Sequence, residues 1–146
     1  MPPDATRERL RVTRVDAPGI AAPPNATWSN CIVVGREVAI SGVTARGPDG
    51  LPIGGGSMKA QTLACFARIA AMMEAAGGHL GNVYKLVIYV TDMTRKDEVN
   101  AARAEALAPV YPCSTLIEVS GFAFPGLLVE IDVFANLDAD LRTAVP

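Results

Sequence analysis

Hydrophobic and polar residues alternate most regularly near the end of the chain. The run Leu127–Phe134 puts Leu, Val, Ile and Val on one face and Leu, Glu, Asp and Phe on the other. The apolar run Ser114–Val119 precedes it, and Ser120–Gly126 between them contains glycine and proline. Since period-2 runs separated by Gly and Pro are typical of paired strands, we predict a β-hairpin with a long loop. Glu130 lies on the half-apolar face of the second strand, where it is either solvated or held in a pocket.

Four further apolar runs predict strands. Leu10–Val15 predicts a short one, and Ser29–Val34 and Glu37–Gly42 predict two more, joined by a tight turn at Gly35–Arg36. Val83–Val90 is almost continuously apolar, which is typical of a strand that is covered on both faces.

Two segments follow the helical period instead. The first helix is predicted to begin after an N-cap at Ser57 and to run to about Ala76, where Gly77–Gly78 ends it. Its predicted buried stripe is Leu63, Phe66, Ala67, Ala70, Met73 and Gly77. The second helix is predicted from about Lys96 to Leu107, after a capping-box-like pair, Thr94 and Asp97.

This order of elements predicts one α+β domain over residues 1–146, with two helices on one face of a mixed sheet. Residues 1–27 are expected to form an N-terminal segment of mostly extended or loop structure. Half of the 146 residues are hydrophobic and 19% are charged. A sheet covered on one face only, in so apolar a chain, indicates an oligomer interface.

Composition argues against several classes of partner. The net charge is −2 and no segment concentrates Lys and Arg, so we do not expect a nucleic-acid partner. No apolar run is long enough to span a membrane, and the polar start is not that of a signal peptide. The three scattered cysteines indicate reduced thiols in the cytoplasm, and the single His79 has no neighbours with which to bind a metal.

Several strings of the sequence resemble those of a known family. They are LVEIDVFA after a P-x-x-T segment, SGV at Ser41–Val43, QTLACFARIAAMMEAAGG, and VYKLVIYVTDM followed by EVN. Together they cover most of the chain and resemble the RidA/YjgF/UK114 family of small trimeric proteins. The resemblance implies a chorismate-mutase-like fold and a homotrimer with a cleft between neighbouring subunits. It also implies a small-molecule substrate: the cleft hydrolyses reactive imines and enamines, such as 2-aminoacrylate, without a cofactor or metal.

The resemblance also implies roles for individual residues. Glu130 matches the glutamate that orients the attacking water, and Asn100 matches an asparagine that lines the cleft. Trp28 stands where many members have a tyrosine. The backbone at Thr115 and Leu116 matches the strand that donates N–H groups to the ligand. Ser41 and Gly42 match the first two residues of the family's Ser-Gly-Gln motif.

The chain departs from the family's pattern at Ser114. The deaminases of the family have an arginine there that binds the substrate carboxylate, and a serine hydroxyl cannot form the same two charge-assisted hydrogen bonds. Loss of such a partner costs on the order of 2–5 kcal/mol. Arg103, one helical turn after Asn100, is either a replacement cation or a solvated helix residue. Cys113 has no base nearby in sequence, so we interpret it as a pocket-lining residue and not as a nucleophile.

Three functions remain open from the sequence. The first is hydrolytic deamination of an imine, enamine or related metabolite other than a standard 2-imino acid. The second is a trimer that binds a small molecule without catalysis. The third, which the acidic balance of charge disfavours, is an endoribonuclease. The feature that separates the first two is Glu130, which an enzyme needs ionised and within reach of a water and a ligand.

Overall fold

A computed structural model describes residues 8–146 of the chain. The framework of the molecule is a six-stranded mixed sheet. Its strands are β1 (Val12–Val15), β2 (Cys31–Val34), β3 (Glu37–Thr44), β4 (Val83–Val90), β5 (Cys113–Glu118) and β6 (Val129–Asn136). The helices are α1 (Met58–Ala75) and α2 (Lys96–Leu107), with single 3-10 turns at Leu80–Asn82, Met93–Arg95 and Leu141–Thr143. The order across the sheet is β1-β2-β3-β6-β4-β5, and all neighbours are antiparallel except β4 and β5. The predicted α+β class is confirmed.

The core lies between the sheet and the two helices. Helix α1 packs on β3, β6 and α2. The side chains that fill this layer are almost fully buried, among them Ile40, Ile69, Met72, Met73, Leu86, Ile88, Val99, Ile131 and Val133. Each such burial is worth about 1.5–3 kcal/mol, so this layer holds the helices to the sheet.

Both ends of α1 are where the sequence predicts them. The Ser57 hydroxyl accepts a hydrogen bond from the N–H of Ala60 at 3.1 Å, as an N-cap does. At the other end, Gly77 has φ +90° and its N–H donates to the carbonyl of Glu74. The N–H of Gly78 donates to the carbonyl of Met73, which completes a glycine C-cap.

The predicted buried stripe of α1 is partly wrong. Ala67 is exposed and Gly77 lies beyond the helix, whereas the buried positions are Met58, Gln61, Thr62, Cys65, Phe66, Ile69, Met72 and Met73. Gln61 explains the error, because pattern reasoning excludes a polar residue from a core face. Its side chain is fully buried but satisfied: the amide donates to the carbonyls of Gly55 and Gly126 and its oxygen accepts from the N–H of Leu128.

The predicted capping box of α2 is also wrong. Asp92, not Thr94, accepts the capping hydrogen bonds, from the backbone N–H and the hydroxyl of Thr94. It caps the 3-10 turn Met93–Arg95, and α2 begins directly after that turn without a side-chain cap of its own. The bounds of α2 itself, Lys96 to Leu107, agree with the prediction.

The predicted hairpin of the last two strands does not form. Strand β4 lies between β5 and β6, pairing parallel with β5 and antiparallel with β6. Parallel strands need a crossover, and α2 supplies it between β4 and β5. The nearly all-apolar β4 therefore takes a central position, and the segment after β5 crosses over to β6. The strand ends also differ slightly: β1 begins at Val12, β2 at Cys31, and β3 continues to Thr44.

Within residues 8–146, no helix or strand covers the sheet face opposite the helices. Its register places Ala39, Val87, Tyr89, Ile117 and Phe134 on this open face. Ile117 is 40% exposed and Phe134 is 39% exposed. Large apolar side chains at the centre of a sheet are seldom left in water, so this face is suited to contact another molecule. Among residues 8–146, no helix combines the length and apolar character needed to cross a bilayer.

Candidate functional site

Strand β6 directs Glu130 to the open face of the sheet. Its neighbours Val129 and Ile131 point into the core and are fully buried, so the alternation of the strand turns Glu130 the other way. The carboxyl group is half-buried. This burial, and secondarily the charge of Asp132, raises the pKa of Glu130 above its usual value. No group among residues 8–146 donates a hydrogen bond to this carboxylate.

A bulge in β3 shapes the space beside Glu130. The register with β6 shifts between Ile40 and Val43, so Ser41 and Gly42 together face Asp132. Gly42 has φ +67°, which favours glycine, and its N–H donates to Oδ1 of Asp132 at 3.0 Å. A methyl group at Gly42 would lie 3.1 Å from Oε1 of Glu130. The absence of a side chain at Gly42 thus leaves room for the glutamate.

Asp132 connects three strands at this point. Its Oδ1 accepts from the N–H of Gly42 on β3, and its Oδ2 accepts from the hydroxyl of Tyr89 on β4 at 3.1 Å. That hydrogen bond raises the pKa of Tyr89, because the carboxylate stabilises the protonated phenol. Both oxygens of Asp132 are therefore engaged in positioning, whereas the carboxylate of Glu130 remains available to a water or a ligand.

A groove of about 630 Å³ opens next to the bulge. We call it the Trp28 groove, and its lining includes Ile20, Trp28, Asn30, Ser41, Gly42 and Phe124. The indole N–H of Trp28 donates to Oδ1 of Asn30 at 3.2 Å, and the amide of Asn30 donates to the carbonyl of Ile20. The guanidinium of Arg46 stacks 3.4 Å from the centre of the Phe124 ring at the far wall.

A second cavity of about 400 Å³ lies between α2 and β5. This α2–β5 pocket is lined by Asn100, Arg103, Ala104, Tyr111, Pro112 and Ser114. Nη1 of Arg103 donates to Oγ of Ser114 at 2.8 Å, and Nη2 approaches Oδ1 of Asn100 at 3.4 Å. The one-turn spacing of Asn100 and Arg103 on α2 places both side chains over the same strand.

Strand β5 divides the remaining predicted residues between the two faces of the sheet. Ser114 and Leu116 pair with the buried Leu86 and Ile88 of β4 and so lie on the helix side. Cys113, Thr115 and Ile117 lie on the open side, and all three are exposed. Because β5 is an edge strand, alternate backbone N–H groups have no partner along its outer edge.

Seven of the ten predicted site residues therefore form two groups in one protomer. Trp28, Ser41 and Gly42 line the groove that borders Glu130, and we call these four residues, with Asp132 and Tyr89, the Glu130 group. Asn100, Arg103 and Ser114 lie at the α2–β5 pocket. Glu130 and Ser114 are on opposite faces of the sheet, and β4 separates their strands. With strands about 4.8 Å apart, β5 and β6 lie about 10 Å from each other. A single protomer does not bring the two groups together.

The remaining candidates for chemistry have structural explanations. Cys31 and Cys65 are buried, which raises the pKa values of their thiols to about 11 and about 12 and keeps them protonated. The ring of His79 accepts a hydrogen bond from the N–H of Gly81 and caps the turn Leu80–Asn82. Within residues 8–146, His, Cys, Asp and Glu side chains form no group of three that could hold a metal ion.

Several known proteins are similar to this chain in sequence and in fold. The family model described as Endoribonuclease L-PSP matches residues 19–137. A Mycobacterium tuberculosis member of the YjgF/YER057c/UK114 family is 31% identical and has a TM-score of 0.74, over 86% of this chain and 99% of that one. The chain belongs to the RidA/YjgF/UK114 family. This confirms the family that its motifs predict.

Two further relatives extend the likeness. A Pseudomonas aeruginosa protein of unknown function is 42% identical to this RidA/YjgF/UK114 protein, with a TM-score of 0.84 over 93% of this chain and 99% of that one. A RutC family protein of Pyrococcus horikoshii is 31% identical over 115 residues, 79% of this chain and 90% of its own length.

Sequence reasoning missed two residues of the Glu130 group in this RidA/YjgF/UK114 protein. The alternation of β6 places Asp132 on the same face as Glu130, but this pattern alone does not indicate a role for it in the site. Tyr89 belongs to the apolar run of β4, and no neighbouring residue indicates that it takes part in a site. Only the register, which pairs Tyr89 with Glu130, brings its hydroxyl to Asp132.

Proposed function

We propose that this RidA/YjgF/UK114 protein is a cofactor-independent hydrolytic deaminase of imines or enamines, acting in clefts between neighbouring subunits of a homotrimer. The observation that carries the proposal is the division of the site. The Glu130 carboxylate, which has a raised pKa and accepts no hydrogen bond from residues 8–146, lies on one face of the sheet, and the polar groups of the α2–β5 pocket lie on the other. In the proposed assembly, a second protomer would bring its α2–β5 pocket against the Glu130 group.

The open sheet face supports the assembly. Phe134, Ile117 and Tyr89 form apolar surface around Glu130, and a neighbouring copy that covers it would bury that surface. The same contact would remove water from the Trp28 groove and from β5, whose outer edge has free N–H groups. Exclusion of water strengthens every electrostatic interaction within such a cleft.

Glu130 would act as the general base. A water held by its carboxylate adds to the carbon of the C=N bond and transfers a proton through Glu130 to the nitrogen. The resulting carbinolamine breaks its C–N bond and gives a carbonyl compound and ammonia, so that one imine and one water are consumed. An enamine first takes a proton at carbon to become the imine. The raised pKa makes the carboxylate a stronger base than an ordinary glutamate.

Ser114 narrows the substrate range. Members with an arginine at this position have a guanidinium on the strand itself, which the serine hydroxyl does not replace. We therefore expect slower turnover of 2-aminoacrylate by this protein than by relatives that have the arginine.

The test is the variant Glu130→Gln, which keeps the shape of the side chain but removes the base. With 2-aminoacrylate generated in the assay by a serine dehydratase, we expect the rate of its hydrolysis in excess of the uncatalysed reaction to fall at least about a hundredfold. Light scattering should give about three times the 15.3 kDa mass of one chain for both proteins. Equal turnover by variant and wild type would remove Glu130 from the mechanism. Tight binding of ligand without turnover by the wild type would instead show a binding protein.

An endoribonuclease is not favoured, although the family model has that description. The net charge of −2 is unsuited to binding a polyanion. We expect no cleavage of single-stranded RNA by the purified protein.

A further inference from the structure

Arg103 differs from the basic side chains that form close ion pairs. Close ion pairs join Arg36 to Asp138, Lys59 to Glu105, Arg95 to Glu98 and Arg142 to Asp140. Arg103 instead contacts two neutral oxygens, of Ser114 and Asn100. Among residues 8–146, no carboxylate lies within 4.0 Å of its guanidinium. Its position is fixed but its charge is not neutralised.

The surroundings of Arg103 match what an anion requires. The side chain is half-buried in the wall of the α2–β5 pocket, where a charge is screened less than on an open surface. A guanidinium has five N–H donors, and Ser114 and Asn100 engage one each. The donors that remain can bind a carboxylate. Ser114 contributes by being small, since its hydroxyl accepts from Arg103 and leaves the pocket open.

From these contacts we infer that Arg103, supported by Ser114 and Asn100, is the group that binds the carboxylate of an anionic substrate in this protein. The inference rests on the proposed function for the identity of the reaction, but not for the binding itself. The cation comes from helix α2 and not from strand β5, so α2 replaces in part the arginine that β5 lacks at position 114. The substrate class is then a small imine or enamine that has a carboxylate.

The test measures binding of a stable probe and needs no turnover. The probe is 2-oxobutanoate, which has the carboxylate and carbonyl of a deamination product, and 2-butanone is its neutral counterpart. Titration followed by ligand-observed NMR should show binding of 2-oxobutanoate by the wild type and about ten- to a hundredfold weaker binding by Arg103→Gln, as expected for loss of a charge-assisted hydrogen bond. Wild type and Arg103→Gln should bind 2-butanone equally weakly, because 2-butanone has no carboxylate.

Lys96→Gln is the matched control. It removes one positive charge from an exposed side chain two turns earlier on the same helix, and it should leave the affinity for 2-oxobutanoate unchanged. The double variant Arg103→Gln/Ser114→Arg returns a guanidinium to the pocket from the strand and should restore binding, which shows that the single variant is folded.

Three results would overturn the inference: no binding of 2-oxobutanoate by the wild type, equal binding by Arg103→Gln, or an equal loss in Lys96→Gln. An Arg103→Gln trimer that dissociates would also contradict it, because the arginine would then be an interface residue. Because the titration with 2-oxobutanoate needs no turnover, it measures binding independently of the deaminase reaction. Failure of the deaminase proposal, seen as no turnover by the wild type, is thereby distinguished from failure of this one.

Discussion

The N–H of Gly42 donates a hydrogen bond to Oδ1 of Asp132 at 3.0 Å, across the bulge that interrupts the pairing of β3 with β6. The same carboxylate accepts a hydrogen bond from Tyr89 on β4. Glu130 lies beside this junction, close enough to Gly42 that any side chain there would crowd it. The bulge thus connects the backbone conformation of β3 to the position of the carboxylate that we propose as the base.

The first prediction concerns Gly42→Ala. At φ +67° an alanine is strained, and its methyl group would lie 3.1 Å from Oε1 of Glu130. We expect a loss of stability of about 1–3 kcal/mol from the backbone conformation. We also expect a change in the pKa of Glu130, because the carboxylate must shift. Urea unfolding measures the first effect, and carbon-detected NMR of the glutamate carboxyl groups measures the second.

Gly55→Ala is the control for this prediction. Gly55 has φ +55° with nothing within 4 Å of an added methyl group, so it tests strain without crowding of Glu130. It should lose stability by a similar amount and leave the pKa of Glu130 unchanged. If Gly42→Ala also left that pKa unchanged, the close approach would have no effect on the carboxylate.

The second prediction concerns Asp132→Asn. The charge of Asp132 contributes to the raised pKa of Glu130, but burial is the larger cause. Removing the charge should therefore lower this pKa towards its ordinary value without reaching it. An asparagine oxygen can still accept the N–H of Gly42, so the bulge should persist. NMR titration measures the pKa of Glu130 in both proteins, and the Glu130→Gln variant assigns its signal. An unchanged or higher pKa in Asp132→Asn would show that the charge of Asp132 does not raise the pKa of Glu130.

The third prediction concerns stability and pH. A carboxyl group whose pKa is raised on folding binds its proton more tightly in the folded state, so the free energy of unfolding falls as the pH rises through the folded-state pKa. Glutamine at position 130 does not titrate. At fixed protein concentration, Glu130→Gln should therefore gain stability relative to the wild type as the pH rises from below the unfolded pKa to neutrality. A gain by the wild type over that range would mean that the native state favours the ionised carboxylate.

The sequence predicts those features of the fold that depend on local pattern. The bounds of α1 and α2, the Ser57 cap, the glycine end of α1 and the alternation at Glu130 all follow from neighbouring residues. The pairing of the strands does not follow from neighbouring residues, because β4 and β5 come together through a helical crossover that no local signal specifies. The buried face of α1 also depends on distant contacts, since Gln61 is buried only because Gly126 and Leu128 provide its partners.

The candidate site shows the same division. The position of Glu130 on its strand is local, whereas its proximity to Gly42 and the link from Asp132 to Tyr89 depend on the register of three strands. The sequence leaves two interpretations of Arg103 open. The hydrogen bond to Ser114 favours the replacement cation over the solvated residue, and that contact requires the packing of α2 on β5.

The claim that one active site takes Glu130 from one protomer and Arg103 from another is tested most directly by mixing two defective variants. Glu130→Gln and Arg103→Gln trimers are each expected to hydrolyse 2-aminoacrylate little faster than the uncatalysed reaction. After the two are unfolded and refolded together in equal amounts, about a quarter of the shared sites should contain both native residues, so the mixture should regain about a quarter of the wild-type rate. If both residues served the same protomer, every site would contain one defect, and a mixture no more active than its parents would contradict the shared site.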